Sequence, residues 1–233
     1  MTEVDGMTLL EGIQKLFSES SEHCPDIQLS EERFFQAVYV GGEWVPVLSF
    51  RTNPKIVGMK ALDVLGRPCA LTAMSVCNER LERILFQELD IAEYLLDSET
   101  EHITAYRAGS SANLIAGFMN GATAHMQLHS TPFGTRQFHH ELITDQGMVS
   151  DRVVDTVIAQ QALNLYSADG YEFYTDSDLL LYGLSCEEQE LAYGIFECFH
   201  TDASARVERG KRLSRIVAAA LSDSRTCRLG VDF

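Results

Sequence analysis

Apolar positions recur along the chain with a helical period at both ends and an alternating period between them. Leu9, Leu10, Ile13, Leu16 and Phe17 fall on one helical face. Thr8 and Glu11 stand in the spacing of a capping box, where the Thr oxygen takes an orphan N–H and the Glu reaches back to the cap. This predicts a helix over residues 8–20, followed by a polar linker at 18–25. Strands are predicted at 36–40 and 44–50. They are joined by Gly41 and Gly42, which tolerate the positive φ of a tight hairpin turn. Asn53 suits an N-cap and Pro54 the first helical position, so a helix is predicted from Pro54 to residue 65. Gly66 and Pro68 end it, and residues 69–76 read as a strand.

Asn78 is the predicted cap of a longer helix ending near residue 97. Leu81, Ile84, Leu85, Leu89, Ala92, Leu95 and Leu96 form its buried stripe. Strands follow at 102–107, 113–119, 122–129 and 136–143, with Asn120-Gly121 as a hairpin turn. Ala122, Ala124, Met126 and Leu128 alternate with Thr123, His125, Gln127 and His129, which gives one buried and one polar face. Weaker strands are predicted at 152–157, 162–166 and 171–174. Ser185 and Glu188 form a second capping box before Leu191, Ile195, Phe196 and Phe199. A last helix is predicted over 205–221. Helices early and late, with sequential strands between, predict an α+β fold: an open, mostly antiparallel sheet with helices packed on one face. The predicted organisation is an N-terminal helix and linker at 1–34 and one α+β domain at 35–233.

Charge narrows the function classes. The chain has 233 residues, 34 acidic against 18 basic, for a net charge of -16. Such a surface repels phosphate, so neither nucleic acid nor an anionic membrane is an expected partner. No run approaches the ~18 apolar residues of a bilayer span. The first twelve residues carry Glu3, Asp5 and Glu11 and no basic residue, unlike a secretory signal. Six scattered cysteines without a C-x-x-C pair are expected to be reduced, and a cytoplasmic location is expected. The chain has no G-x-G-x-x-G, no G-x-x-x-x-G-K-[ST], no G-x-S-x-G and no H-E-x-x-H.

Three groups of residues could carry chemistry. If strand 122–129 pairs with strand 136–143, His125 falls opposite His139, and with Glu141 the two imidazoles could hold a divalent metal. The alternative is a polar sheet face making ordinary hydrogen bonds. Arg83, Gln87, Asp90 and Tyr94 share a helix face that could bind the hydroxyls of a sugar or polyol; otherwise it is a solvated face with an Arg83–Gln87 contact. Cys186 and Cys198 could be nucleophiles, but core positions are the simpler reading of both.

The order of short motifs resembles the C-terminal domain of the glucose–fructose oxidoreductase / inositol dehydrogenase (Gfo/Idh/MocA) family. Ser49-Phe50-Arg51-Thr52-Asn53-Pro54 is similar to that family's passage into its second domain. Lys60 and Gly66-Arg67-Pro68 fall where it has a helix ending in Gly. The run Glu88 to Leu96 resembles its pocket helix, and Ala112-Asn113-Leu114 with Asn120-Gly121-Ala122 resembles its hairpin. Gly147-Met148-Val149 resembles a turn of the family, and residues 212–227 its closing helix. The resemblance implies substrate contacts at Arg51, Asn53, Gln87, Asp90 and Tyr94, and homo-oligomers through the open sheet face.

Departures qualify what it implies. Fewer than fifty residues precede the first motif and hold no glycine fingerprint, so no NAD(P) is expected to bind this chain alone. The family's catalytic lysine has no counterpart. Its pocket histidine falls at Gln87, and an amide cannot act as acid or base. Three readings follow: a non-catalytic substrate-binding and oligomerisation module, a subunit of a sugar or polyol dehydrogenase completed by a Rossmann-domain partner bringing NAD(P), and a metal-dependent enzyme or sensor using His125, His139 and Glu141.

Overall fold

A computed structural model describes residues 7–62, 66–133, 136–151, 162–167, 170–175, 181, 183–222 and 227–230. Its helices are α1 (Leu9–Glu19), α2 (Pro54–Ala61), α3 (Leu81–Leu96), α4 (Cys186–His200) and α5 (Ala203–Ser222). Its strands are β1 (Leu29–Glu31), β2 (Gln36–Val40), β3 (Glu43–Pro46), β4 (Pro68–Cys77), β5 (Thr100–Ala108) and β6 (Ser111–Phe118). They continue as β7 (Thr123–Ser130), β8 (Gln137–Thr144), β9 (Gly147–Ser150), β10 (Ala162–Ser167), β11 (Gly170–Thr175) and β12 (Cys227–Gly230). The predicted strand at 152–157 lies outside the described residues. Contacts group the chain into two units, Met1–Asn53 with Ser177–Gly210, and Pro54–Asp176 with Lys211–Phe233. The boundary expected after residue 34 falls inside the first.

In the first unit, both predicted capping boxes are formed, Thr8 with Glu11 and Ser185 with Glu188. Ile13, Leu16 and Phe17 of α1 share a core with Val38, Val45, Val47, Ala192, Ile195 and Cys198. The Phe17 ring meets Phe196 and Phe199 edge-on, at 5.0 and 5.6 Å between centroids. The antiparallel sheet β1-β2-β3 adds a strand, β1, where the sequence read as linker. β3 stops at Pro46 rather than running to residue 50. After one more ladder bond, from the Val47 N–H to the Gln36 carbonyl, residues Ser49–Thr52 close into a 3-10 turn.

The second unit holds a nine-stranded sheet in the order β11-β10-β9-β8-β4-β7-β6-β5-β12. All its pairings are antiparallel except β4 with β7. This is the α+β layer expected, with α3 packed against one face over β4, β6 and β7. Leu71 and Ala73 of β4, Leu114 and Ala116 of β6, and Ala124, Met126 and Leu128 of β7 turn to that face and are buried, as are Leu81, Ile84, Leu85, Leu89, Ala92 and Leu95 of α3. The alternation along 122–129 therefore sorts faces as expected. Residues 147–149, expected as a turn, form β9, and β12 is an unforeseen edge strand paired to β5.

α3 begins at Leu81 with Arg80 as its cap, not at Asn78. The residues before it are tied to the end of β7: the Thr131 N–H donates to the Cys77 carbonyl and the Ser130 hydroxyl to the Glu79 carbonyl. That tether keeps 77–79 extended, so Arg80 supplies the first helical carbonyl, to Arg83 and Ile84. At the other end Asp97 adopts φ 53°, the left-handed cap that glycine favours. Its ion pair with Lys60, at 3.5 Å, involves an Asp side chain that is 86% exposed, and contributes little. Asp97→Gly is therefore expected to stabilise the protein by up to ~1 kcal/mol, read as a higher urea midpoint at unchanged slope. A lower midpoint would show that the side chain matters more than the backbone strain.

Candidate functional site

Position 88 lies in the buried stripe of α3 between Leu85 and Leu89, yet it is a glutamate, fully buried. Ser75, on the helix-facing side of β4, donates its hydroxyl to Glu88 Oε1. Glu88 Oε2 lies 3.0 Å from Nε2 of His140. β8 alternates so that His140 and Leu142 share the buried face while His139 and Glu141 turn to the other. β9 pairs Ser150 with Glu141, which brings the next residue, Asp151, beside His140. Asp151 Oδ1 accepts the His140 backbone N–H at 2.6 Å, and Oδ2 lies 3.3 Å from His140 Nδ1. The same Oδ1 is 3.0 Å from His139 Nδ1, and His139 Nε2 is 3.2 Å from Glu141 Oε1. A continuous chain of polar contacts thus runs Ser75, Glu88, His140, Asp151, His139, Glu141. It passes from a side chain with no exposure at Glu88 to one 27% exposed at Glu141.

Each ring nitrogen of His140 faces a carboxylate, so both act as donors and the ring is a cation. Burial alone favours the neutral ring. The Glu88 charge and the hydrogen bonds to Asp151 and Glu88 outweigh it and push the His140 pKa up to about 10. Burial would also raise the Asp151 carboxyl, but its hydrogen bonds to His139 and His140 and the His140 charge hold it far below the usual range. The hydrogen bond to Asp151 chiefly raises His139, against the pull of burial. With every imidazole nitrogen committed to a carboxylate, the cluster holds protons and fixes charge; it leaves neither ring a free lone pair for a metal or a substrate.

The metal geometry expected from the sequence required β7 to lie beside β8. β4 instead lies between them. His125 pairs with Thr72, and Thr72 with Glu141, while His139 pairs with Met74 in the neighbouring row. His125 and His139 are therefore not opposed, and His139 is drawn to Asp151. Among the described residues, no group of three or more His, Cys, Asp or Glu is arranged to hold a metal ion.

The five expected substrate contacts fall in both units. In the first, Arg51 lies in the 3-10 turn, and Asn53 donates from Nδ2 to Glu190 Oε1 at 2.6 Å. In the second, α3 carries Gln87 and Tyr94 half-buried and Asp90 buried, so this side of the helix is no solvated face. Arg83 forms an i,i+4 ion pair with Glu79. The Lys60 ammonium stands 5.6 Å over the Tyr94 ring. Arg212 grips Glu93 through both carboxylate oxygens, at 2.7 and 2.5 Å, and the Asp90 charge adds to the field that raises the Arg212 pKa. Cys198 is buried, with burial pushing its thiol up to about 11, whereas Cys186 is exposed, contrary to the core position expected.

The face of the sheet turned away from α3 follows from the register. One row reads Thr104, Ile115, His125, Thr72, Glu141. A second reads Tyr106, Asn113, Gln127, Met74, His139, and a third His102, Gly117, Thr123, Ala70, Ile143. Tyr106 and Ile115 are 57% and 56% exposed, and Met74 and Ile143 are also exposed. An added Cβ at Gly117 would sit 2.0 Å from the His102 ring, so this glycine lets the imidazole lie flat on the strand. Between β5 and β8 the rows contain no Lys or Arg, although Arg228 of β12 continues the first row beside Thr104, and their one carboxylate, Glu141, is bound to His139.

The fold is shared with solved oxidoreductases and dehydrogenases, in line with the Gfo/Idh/MocA-type resemblance of the sequence motifs. An oxidoreductase from Agrobacterium radiobacter, solved with NAD+, L-tartaric acid and magnesium, has a TM-score of 0.60 and 19% identity over 79% of this chain and 64% of its own. Levoglucosan dehydrogenase with NADH and levoglucosan gives 0.59 and 12%, over 78% and 65%. A candidate myo-inositol dehydrogenase from Sinorhizobium meliloti 1021 gives 0.55 and 15%, over 78% and 64%. The likeness is one of fold, and the chain spans just under two thirds of the length of these structures. No protein-family model and no curated protein matches the sequence. Among the described residues, no helix is long and apolar enough to cross a membrane.

The charge cluster sets a pH dependence. His140 holds its proton more tightly folded than unfolded, so its contribution is complete below about pH 6.5 and is lost as pH rises toward 10. Asp151 is depressed, so its contribution is present above about pH 4 and is lost in acid. Urea midpoints are expected to fall between pH 7 and 10, by at most about 1.4 kcal/mol per pH unit from this group. His140→Gln is expected to remove that share of the slope, and Glu88→Ala to cost ~3–5 kcal/mol by leaving a buried cation short of a partner. Parallel pH profiles in the wild type and His140→Gln would refute the cationic assignment.

Proposed function

We propose that this chain is a substrate-binding and assembly module of the oxidoreductase type, not catalytic by itself, which associates with a second copy through the open face of its large sheet. The observation that carries this is the character of that face. A protein of net charge -16 presents exposed Tyr106, Ile115, Met74 and Ile143 among mostly uncharged neighbours, with the one carboxylate of these rows bound to His139. Two copies can meet there without opposing like charges, and exposed apolar surface of this kind marks an interaction site. The occupant is a second copy because an isologous contact needs self-complementarity, which a face of apolar and mostly uncharged polar side chains has. Light scattering at micromolar concentration is expected to give a dimer mass, and Ile115→Arg a monomer with unchanged circular dichroism. A monomeric wild type would remove this reading.

The catalytic alternative is a subunit of a sugar or polyol dehydrogenase, with NAD(P) brought by a partner chain. The NAD+ and NADH in the solved relatives support it, as does the carboxylate at Asp90 on α3. Gln87 argues against complete acid–base machinery, since an amide neither takes up nor releases a proton at neutral pH. NADH titrated into this chain alone is expected to give no saturable fluorescence change up to millimolar concentration. Saturation would show a cofactor site within the chain and overturn the division of labour proposed here.

A further inference from the structure

We propose that self-association through the open sheet face is switched by pH, with His125 as the sensing group. This rests on the assembly reading above and adds a control to it. His125 is exposed on β7, a central strand of the face. Its lateral neighbours are Ile115 on β6 and Thr72 on β4, and its neighbours along the same side of β7 are Thr123 and Gln127. Diagonally, β6 offers Asn113 and Gly117, and β4 offers Ala70 and Met74. None of these is charged or titratable. The titratable groups beyond them are Glu141 across β4, with His139, and His129 four residues along β7, whose Nδ1 is bound to the Ser111 hydroxyl at 2.7 Å. His102, on β5, lies beside Glu101, with 3.9 Å between Nδ1 and the carboxylate.

These surroundings separate two kinds of histidine. His139 has Asp151 and Glu141 against its ring, so its charge is compensated whether the face is open or covered. Among the described residues, His125 has no carboxylate against its ring. Covering the face with a second copy would remove water from its ring and supply Ile115-like neighbours in return. A neutral imidazole tolerates that; a protonated one does not, because a buried charge must be paired. Histidine is the side chain whose charge changes between pH 5 and 8. Isologous pairing doubles the effect, since each copy brings its own His125. The overall charge works in the opposite direction, as acidification lowers the repulsion between two acidic molecules. That long-range term is screened over ~8 Å at 0.15 M salt, whereas the desolvation of a covered imidazole is not.

The test is the dimer dissociation constant of the whole chain by analytical ultracentrifugation at 0.15 M salt, from pH 7.5 to 5.5, for the wild type and His125→Gln. The expected result is a weakening of at least tenfold toward pH 5.5 in the wild type and a flat profile in the variant. His125 is exposed, so the substitution leaves the fold intact, and circular dichroism at each pH verifies this. A pH-independent dimer, or a variant that weakens as the wild type does, overturns the switch and leaves the assembly reading standing. A monomer at every pH overturns both.

Discussion

A cationic imidazole enclosed by two carboxylates, between α3 and the middle of the large sheet, is the constraint on which the second unit depends. Glu88, His140 and Asp151 are each nearly or fully removed from water. Isolated, any one of these charges would cost many kcal/mol to bury; together, with the Ser75 hydroxyl and the His140 backbone N–H, they satisfy one another. Apolar side chains of similar volume could serve stability as well. What charges add is position. A stripe of leucines and isoleucines can rotate or slide on a sheet at small cost, whereas Glu88 reaches its partners in one arrangement. That arrangement fixes the rotation of α3, and with it the directions taken by Gln87, Asp90 and Tyr94.

Local chemistry made much of the framework legible. Two capping boxes, the Asn120-Gly121 turn and Pro54 each act within a few residues, and each stands where the sequence placed it. Alternation along β7 gave the correct faces but could not give its neighbour. A parallel partner inserted from fifty residues earlier leaves no trace in the alternation, so β4 between β7 and β8 was invisible, and the opposition of His125 and His139 went with it. Long-range tethers moved the start of α3 from Asn78 to Arg80 for the same reason.

The charge cluster did leave a signal. Positions 81, 84, 85, 88, 89, 92, 95 and 96 are the stripe of one helix face, and a carboxylate at 88 interrupts it. His140 likewise interrupts Phe138 and Leu142 on the inward side of β8. A buried carboxylate on one element calls for a donor on another, and the two interruptions supply each other. The expected substrate contacts lacked any comparable internal pairing and rested on resemblance alone.

The second unit departs from the usual distribution of charge, with ionised groups under the helix and a mostly uncharged face outside. β8 joins the two sides, because His139 and His140 are consecutive and point to opposite faces of the sheet while sharing Asp151. One carboxylate therefore serves a pair in the core and a pair at the surface. Any molecule that covers the open face lowers the local dielectric around His139 and Glu141, which strengthens the attraction of His139 for Asp151. Asp151 cannot move toward either ring without loosening its hold on the other. Asp151 thus joins hydrogen-bonded groups on the two faces of the sheet through a single side chain.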